Sequence, residues 1–146
     1  MSVVSQGRPG VVSLDRAYGR TVQGRLLVAS DGFSPRYDLD RSTGVITRRD
    51  HSLFGEQLAG HIVVFPTAKG GVAAGWAFFD LQARDLAPLA LVFGISNSVM
   101  VHGAVMAGVP IADGIPAADW DKLSSGMWAE LRPADRQLVL CRRQGL

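Results

Sequence analysis

The stretch Val63–Leu81, "VVFPTAKGGVAAGWAFFDL", decides how this chain folds. A β-branched and aromatic segment closed by Pro66 leads into the turn Thr67-Ala68-Lys69-Gly70-Gly71-Val72, and then into a run of helix formers. Strand, Gly-rich turn and helix in that order make half of a βαβ unit. The order also places unpaired backbone N–H groups at the start of the helix, where they suit an anion. His61–Pro66 is apolar without polar alternation after its first residue, the pattern of a strand buried on both faces. Over Ala73–Arg84, the residues Trp76, Ala77, Phe79, Leu81 and Ala83 spread across a wide apolar arc. Such a helix is expected to be covered by a sheet or by a partner.

The flanking segments extend this unit. Gly19–Ser30 carries strand-type residues ahead of it, and Ala87–Phe93 is a second buried-strand candidate behind it. Ser98–Gly108 is expected to be a helix stopped by Gly108, and Val109–Gly114 a short strand. Ile115–Gly126 has room for one or two helical turns near Pro116, and two strands are expected around the turn Arg132-Pro133-Ala134-Asp135. Strands alternating with helices, followed by a hairpin, predict an α/β fold with a mixed sheet. Asp31–Gly44 is dense in Gly, Pro, Ser and Asp and is expected to be a long loop, ordered because it holds Phe33 and Tyr37. Loops this long usually serve a function. Gly44–Thr47 is a short-strand candidate, and Arg48–Gly60 returns to loop character. Residues 1–18 are expected to be a tail or edge element, and 19–146 a single domain.

A chain of 146 residues with 47% apolar and 19% charged residues is globular in composition. At this size it buries roughly 68–70% of its unfolded surface without staples. A net charge of +2, with Arg48-Arg49 and Arg142-Arg143 as isolated basic pairs, argues against a nucleic-acid partner. The single cysteine, Cys141, excludes an internal disulfide and a Cys-rich metal or cluster site on this chain alone. No apolar run approaches the roughly 18–20 residues that span a bilayer, and no signal-peptide pattern is present, so a cytoplasmic location is expected.

Few residues offer chemistry. Lys69 and Gly70-Gly71 supply a charge and a permissive backbone, but neither the order of a Walker loop nor that of a dinucleotide fingerprint is present. Local features leave a ligand loop and an ordinary tight turn both open. The loop "SDGFSPRYDLDRSTG" gathers Ser34, Arg36, Tyr37, Asp38 and Asp40. Asp31, Asp38 and Asp40 lack the spacing of a calcium loop, and hydrogen bonds that fix the loop are the ordinary role of such residues. His51, His61 and His102 are scattered, and no triad order or zinc-protease motif occurs. Phe33, Phe54, Trp120 and Trp128 are candidates for a self-association surface, with core packing as the alternative.

Several of these segments together resemble a known family. The residues that carry the resemblance are Thr43-Gly44-x-Ile46, then His51-x-Leu53-x-Gly55 through Gly60, the strand ending in Phe65-Pro66, and Gly103-Ala104-x-x-Ala107-Gly108-x-Pro110. With "GFSPRYDLD" and "LAPLALVF" they are similar to the small, swivelling-domain subunit of aconitase X, over about Gly19 to Val139. The resemblance implies a swivelling β/β/α domain like the C-terminal domain of aconitase. It implies a dehydratase acting on a small hydroxy acid such as cis-3-hydroxy-L-proline or a phosphorylated mevalonate. It implies a large-subunit partner that holds an iron–sulfur cluster, with no cofactor or metal on this chain.

In that family a serine on a Gly-Ser-Ser loop acts as the base. Here those positions fall on Gly71 and Val72, and the segment Ser-Phe-Trp-Gly-Gly-Val-Asp falls on Ser34-Pro35-Arg36-Tyr37-Asp38-Leu39-Asp40. Ser34 is therefore the candidate catalytic residue. Lys69, Gly70, Gly71, Val72, Arg36 and Asp38 are the candidate substrate-binding residues. The alternative reading is a non-catalytic binding or regulatory module that holds an anionic metabolite and assembles as a homo-oligomer through its apolar surface.

Overall fold

The computed structural model describes residues 10–70 and 73–141. The unit identified first is present. Strand β6 (His61–Thr67) leads through the Lys69-Gly70 turn to helix α2 (Ala73–Ala83), and this to strand β7 (Ala90–Ile95), which lies parallel to β6. Helix α3 (Ser98–Met106) then leads to β8 (Ile111–Asp113), parallel to β7. The Asn97 side chain caps α3 by accepting the Met100 N–H at 2.8 Å. Strand β3 (Val22–Val28) pairs parallel with β6 on the other side. The expected hairpin is β9 (Trp128–Arg132) and β10 (Gln137–Cys141), turned by Pro133–Asp135 and a left-handed Arg136. Ala117–Lys122 forms a short 3-10 segment.

The N-terminal segment takes part in this sheet. It supplies β1 (Gly10–Ser13), antiparallel to β10, and β2 (Arg16–Tyr18), antiparallel to β8. The strand order is β1-β10-β9-β3-β6-β7-β8-β2, so these two strands occupy opposite ends of one eight-stranded mixed sheet. Yet only Leu14 and Asp15 separate them. Three residue steps span at most about 11 Å. The sheet must therefore roll until its ends meet, and the chain itself crosses the seam. There the Leu14 N–H donates to the Arg136 carbonyl at 2.8 Å and the Asp15 N–H to the Asp113 carbonyl at 2.9 Å.

Strand alternation divides the apolar residues between two cores. Leu26, Ile62, Val64, Ala90 and Val92 point into the rolled sheet with Val12, Leu14, Ala129, Leu131, Leu138 and Leu140. Their neighbours Leu27, Val63, Phe65, Leu91 and Phe93 pack against Phe78 and Leu81 of α2 and Met100 and Ala104 of α3. This is why β6 and β7 have no polar alternation: both faces are covered.

Two expectations change. Asp31–Gly44 is not irregular throughout. It contains one helical turn, α1 (Pro35–Asp38), and the first strand of a small hairpin, β4 (Leu39–Asp40) and β5 (Val45–Ile46). Such elements are too short to show periodicity. The apolar arc of α2 is only partly covered: Ala77, Phe78 and Leu81 are buried, whereas Trp76 is 71% and Phe79 47% exposed. Of the aromatic surface candidates, Phe33 is buried in the outer core, Trp120 packs on the inner one, and Phe54 is exposed.

Candidate functional site

The site lies where the Ser34 loop meets the turn that follows β6. The two segments run side by side: the Phe33 N–H donates to the Thr67 carbonyl at 3.0 Å, and the Lys69 N–H donates to the Phe33 carbonyl at 2.8 Å. Beneath them Phe33 stacks on Phe65, with centroids 4.4 Å apart, and Phe65 stacks on Phe93 at 5.7 Å. The loop thus rests on the outer core, which fixes its height above the sheet.

Ser34 is the N-cap of α1, with Pro35 at the first helical position. Serine at this position usually spends its hydroxyl on a helix N–H. Here it does not: Ser34 makes no capping bond, is 5% exposed, and its Oγ has no hydrogen-bond partner among the described residues. A Cβ built on Gly70 would lie 3.5 Å from that Oγ, so the hydroxyl faces the glycine turn before α2. Gly70 has φ +102°, a conformation that an L side chain strains to adopt. Lys69 is exposed, and a Cβ on Gly32 would lie 2.9 Å from its Cε and 2.6 Å from Thr67 Oγ1, so the lysine stem runs close over the Ser34 loop at a glycine.

Sequence reasoning brought Ser34, Lys69 and Gly70 to one place, and the structure does the same. Gly71 and Val72, named with them, lie outside the described residues. Arg36 is exposed on α1 with its guanidinium 5.5 Å from the Tyr37 ring centroid. Asp38, expected to bind substrate, is placed beneath the loop instead. It is fully buried, and its carboxylate accepts the Ser34 N–H at 2.8 Å and an Arg48 Nη1 bond at 3.2 Å. The Asp38 hydrogen bond is the main reason the Arg48 guanidinium is held above its ordinary range. Asp31 accepts the Ser52 N–H at 2.6 Å and Asp40 accepts from Ser42 and Thr43. These bonds hold both carboxyls below their ordinary value of 3.8.

Two residues beneath the loop were not among the site candidates: the His51 side chain is only 1% exposed, and Arg48, on the surface with its side chain 46% exposed, pairs with Asp38. The only sign of His51 was its place in the His51-x-Leu53-x-Gly55 segment; no spacing rule marks Arg48. Among the described residues no group of three or more His, Cys, Asp or Glu could hold a metal, and no helix is long and apolar enough to cross a membrane. A buried hydroxyl, a lysine and a glycine turn opening a helix can hold a small anion and move or share a proton beside it.

Residues 12–140 match the aconitase X swivel domain. Among curated relatives, the phosphomevalonate dehydratase small subunit of Thermococcus onnurineus is 31% identical over 121 residues, 83% of this chain and 90% of that protein. The protein of the same name from Methanosarcina acetivorans is 24% identical over 132 residues, 87% of this chain and 92% of its own length. Among solved structures, the holo-form of Thermococcus kodakaraensis aconitase X superposes with a TM-score of 0.83 at 25% identity, covering 90% of this chain and 98% of that one. With the mixed, rolled sheet and its covering helices, these matches show that the chain belongs to the aconitase X swivel-domain family.

Proposed function

We propose that this chain is the small subunit of an aconitase X-type dehydratase, and that with a large subunit it completes a site that removes water from a small hydroxy acid. Family membership and the names of the relatives support the reaction class. The observation that carries the site is the buried Ser34 hydroxyl, which faces Gly70 and has no hydrogen-bond partner among the described residues. In the reaction a base takes a proton from one carbon, the C–O bond on its neighbour breaks, a double bond forms between them, and the leaving hydroxide takes up a proton to depart as water, so that the substrate loses H⁺ and OH⁻ in all. Lys69 and the N–H groups at the start of α2 hold the substrate carboxylate or phosphate. Ser34 is the proton-handling group on this side of the site, and exposed Arg36 contributes charge at its rim. Asp38 holds Ser34 in place from below. Phosphomevalonate and cis-3-hydroxy-L-proline are the two substrate candidates. This chain, with Cys141 as its one cysteine on β10, does not fit the iron–sulfur ligand set that the family implies; that set belongs to the large subunit.

Co-expression with a large subunit, followed by dehydration assays on both acids, tests this reading. We expect a stable complex whose turnover falls about 10²–10⁴-fold in Ser34→Ala. A complex that never forms overturns the subunit reading. Unchanged turnover in Ser34→Ala removes the site assignment. The second reading, an anion-binding module without catalysis, is favoured by the absence of hydroxyls at positions 71 and 72. It predicts a complex that binds the acids and turns neither over.

A further inference from the structure

Asp38 enters that scheme only as the support of Ser34, and its two neighbours below the loop, Arg48 and His51, are absent from it. The Asp38 carboxylate is divided between two partners: Oδ2 takes the Ser34 N–H and Oδ1 takes the Arg48 guanidinium. Arg48 is itself braced by Asp50, whose carboxylate accepts its Nε–H at 2.8 Å. His51 Nδ1 accepts the Leu53 N–H at 3.0 Å, so the ring proton sits on Nε2, which donates to the Gly32 carbonyl at 2.9 Å. That same Nε2 lies 3.9 Å from Asp38 Oδ2, and the ring meets Phe65 edge-on, with centroids 6.1 Å apart.

These contacts form one connected path. The loop at 48–53 holds Gly32 through His51 and Ser34 through Asp38. Between those two points Phe33 carries both backbone bonds to the 67–69 turn. A movement of the 48–53 loop would therefore shift the Ser34 hydroxyl and the Lys69-Gly70 turn together. A fully buried carboxylate is a poor source of stability compared with a well-packed apolar residue, but its removal leaves the Ser34 N–H without the acceptor it has here, while Arg48 keeps only Asp50. Its chief use here is to specify one geometry.

We propose that Asp38, Arg48 and His51 are positioning residues that lock the Ser34 loop against the Gly70 turn. The kinetic part of this proposal rests on the dehydratase reading; the locking itself does not. Two measurements test it. The first is amide hydrogen exchange on the full chain, comparing Ser34, Phe33 and Lys69 with Val64 and Leu91 in the sheet. In Arg48→Ala, His51→Ala and the milder Asp38→Asn, the first three amides should exchange about tenfold faster while the two sheet amides keep their protection. Arg48→Lys, which keeps a cation within reach of Asp38, should restore part of the protection. The second is turnover of the assembled enzyme. In these variants kcat should fall about 10–100-fold with proportionally less change in KM, as expected of a misplaced group rather than a lost contact. Equal acceleration at all five amides, or unchanged exchange at Ser34 and Lys69, overturns the proposal. A wild-type complex without dehydratase activity overturns only the functional reading, and the exchange data then decide the locking on their own.

Discussion

Ser34 stands at a helix N-cap and does not cap. Replacing a capping serine by alanine ordinarily costs about 0.5–2 kcal/mol. No capping bond exists here to lose, the hydroxyl has no partner among the described residues, and a buried hydroxyl left so costs the fold about 1–3 kcal/mol. Ser34→Ala should therefore leave the unfolding midpoint unchanged or raise it, while the assembled enzyme loses turnover. Thermal unfolding of both chains checks this, and a drop of several degrees would mean that the hydroxyl has a structural partner after all. Ser34 was singled out through the family resemblance, and Lys69-Gly70 was legible because lysine and glycine declare their chemistry by type. Asp38 was misjudged for the same reason. A carboxylate on a polar loop looks ligand-facing, and only the fold shows it buried beneath the loop it serves. His51 was passed over because nothing in its sequence neighbours shows that Gly32 lies within 2.9 Å.

At the scale of elements, β6, α2, β7 and the β9–β10 hairpin were legible because apolar runs, helix formers and a Pro-containing turn are local signals. Helix α2 was legible in position but not in orientation. An apolar arc this wide does not say which side meets the sheet, and the structure buries Phe78 while exposing Trp76. Phe78→Ala should cost about 3–5 kcal/mol and Trp76→Ala less than about 0.5 kcal/mol, read by denaturant unfolding. Comparable costs would mean that α2 is rotated from the orientation described. The 30–53 excursion responds to acid as well. Asp31 is held below its ordinary value of 3.8 chiefly by the Ser52 N–H, and Asp40 chiefly by the Ser42 hydroxyl. A lowered folded value means that the unfolded chain binds the proton more readily. The stabilisation is complete above 3.8 and is lost as pH falls through the lower, folded value. The stability difference between wild type and Asp31→Asn should thus be constant above about pH 5 and shrink below the ordinary carboxylate value. Denaturant midpoints across that range check it, and a difference that grows in acid would contradict the sign.

Closure of the sheet belongs to the molecule as a whole and was not legible. Each of β1 and β2 could be suspected as an edge element. No local pattern says that one joins β10, the other β8, or that the residues between them bridge both ends of one sheet. The seam is nonetheless built with care for its charges. Arg16 on β2 reaches Asp113 on β8 through Nη2 at 2.7 Å and Nε at 3.2 Å, and Asp113 is 4% exposed. A fork-like pair of this kind fixes direction as well as distance. On the inner side of the same segment, Val12 and Leu14 fill the rolled sheet at 0% and 6% exposure. Leu14→Ala should therefore cost about 2–5 kcal/mol although it lies in a segment that could pass for a tail. Removing residues 1–15 should do more than subtract that energy. It takes β1 from β10 and the crossing from between the two ends, so the inner core meets water along the seam. Amide exchange should then quicken in β10 and β8, at opposite ends of the strand order, while β6 and β7 at its centre keep the most protection. Faster exchange in β10 alone would show that the two ends are independent edges and that the sheet is not closed by the chain.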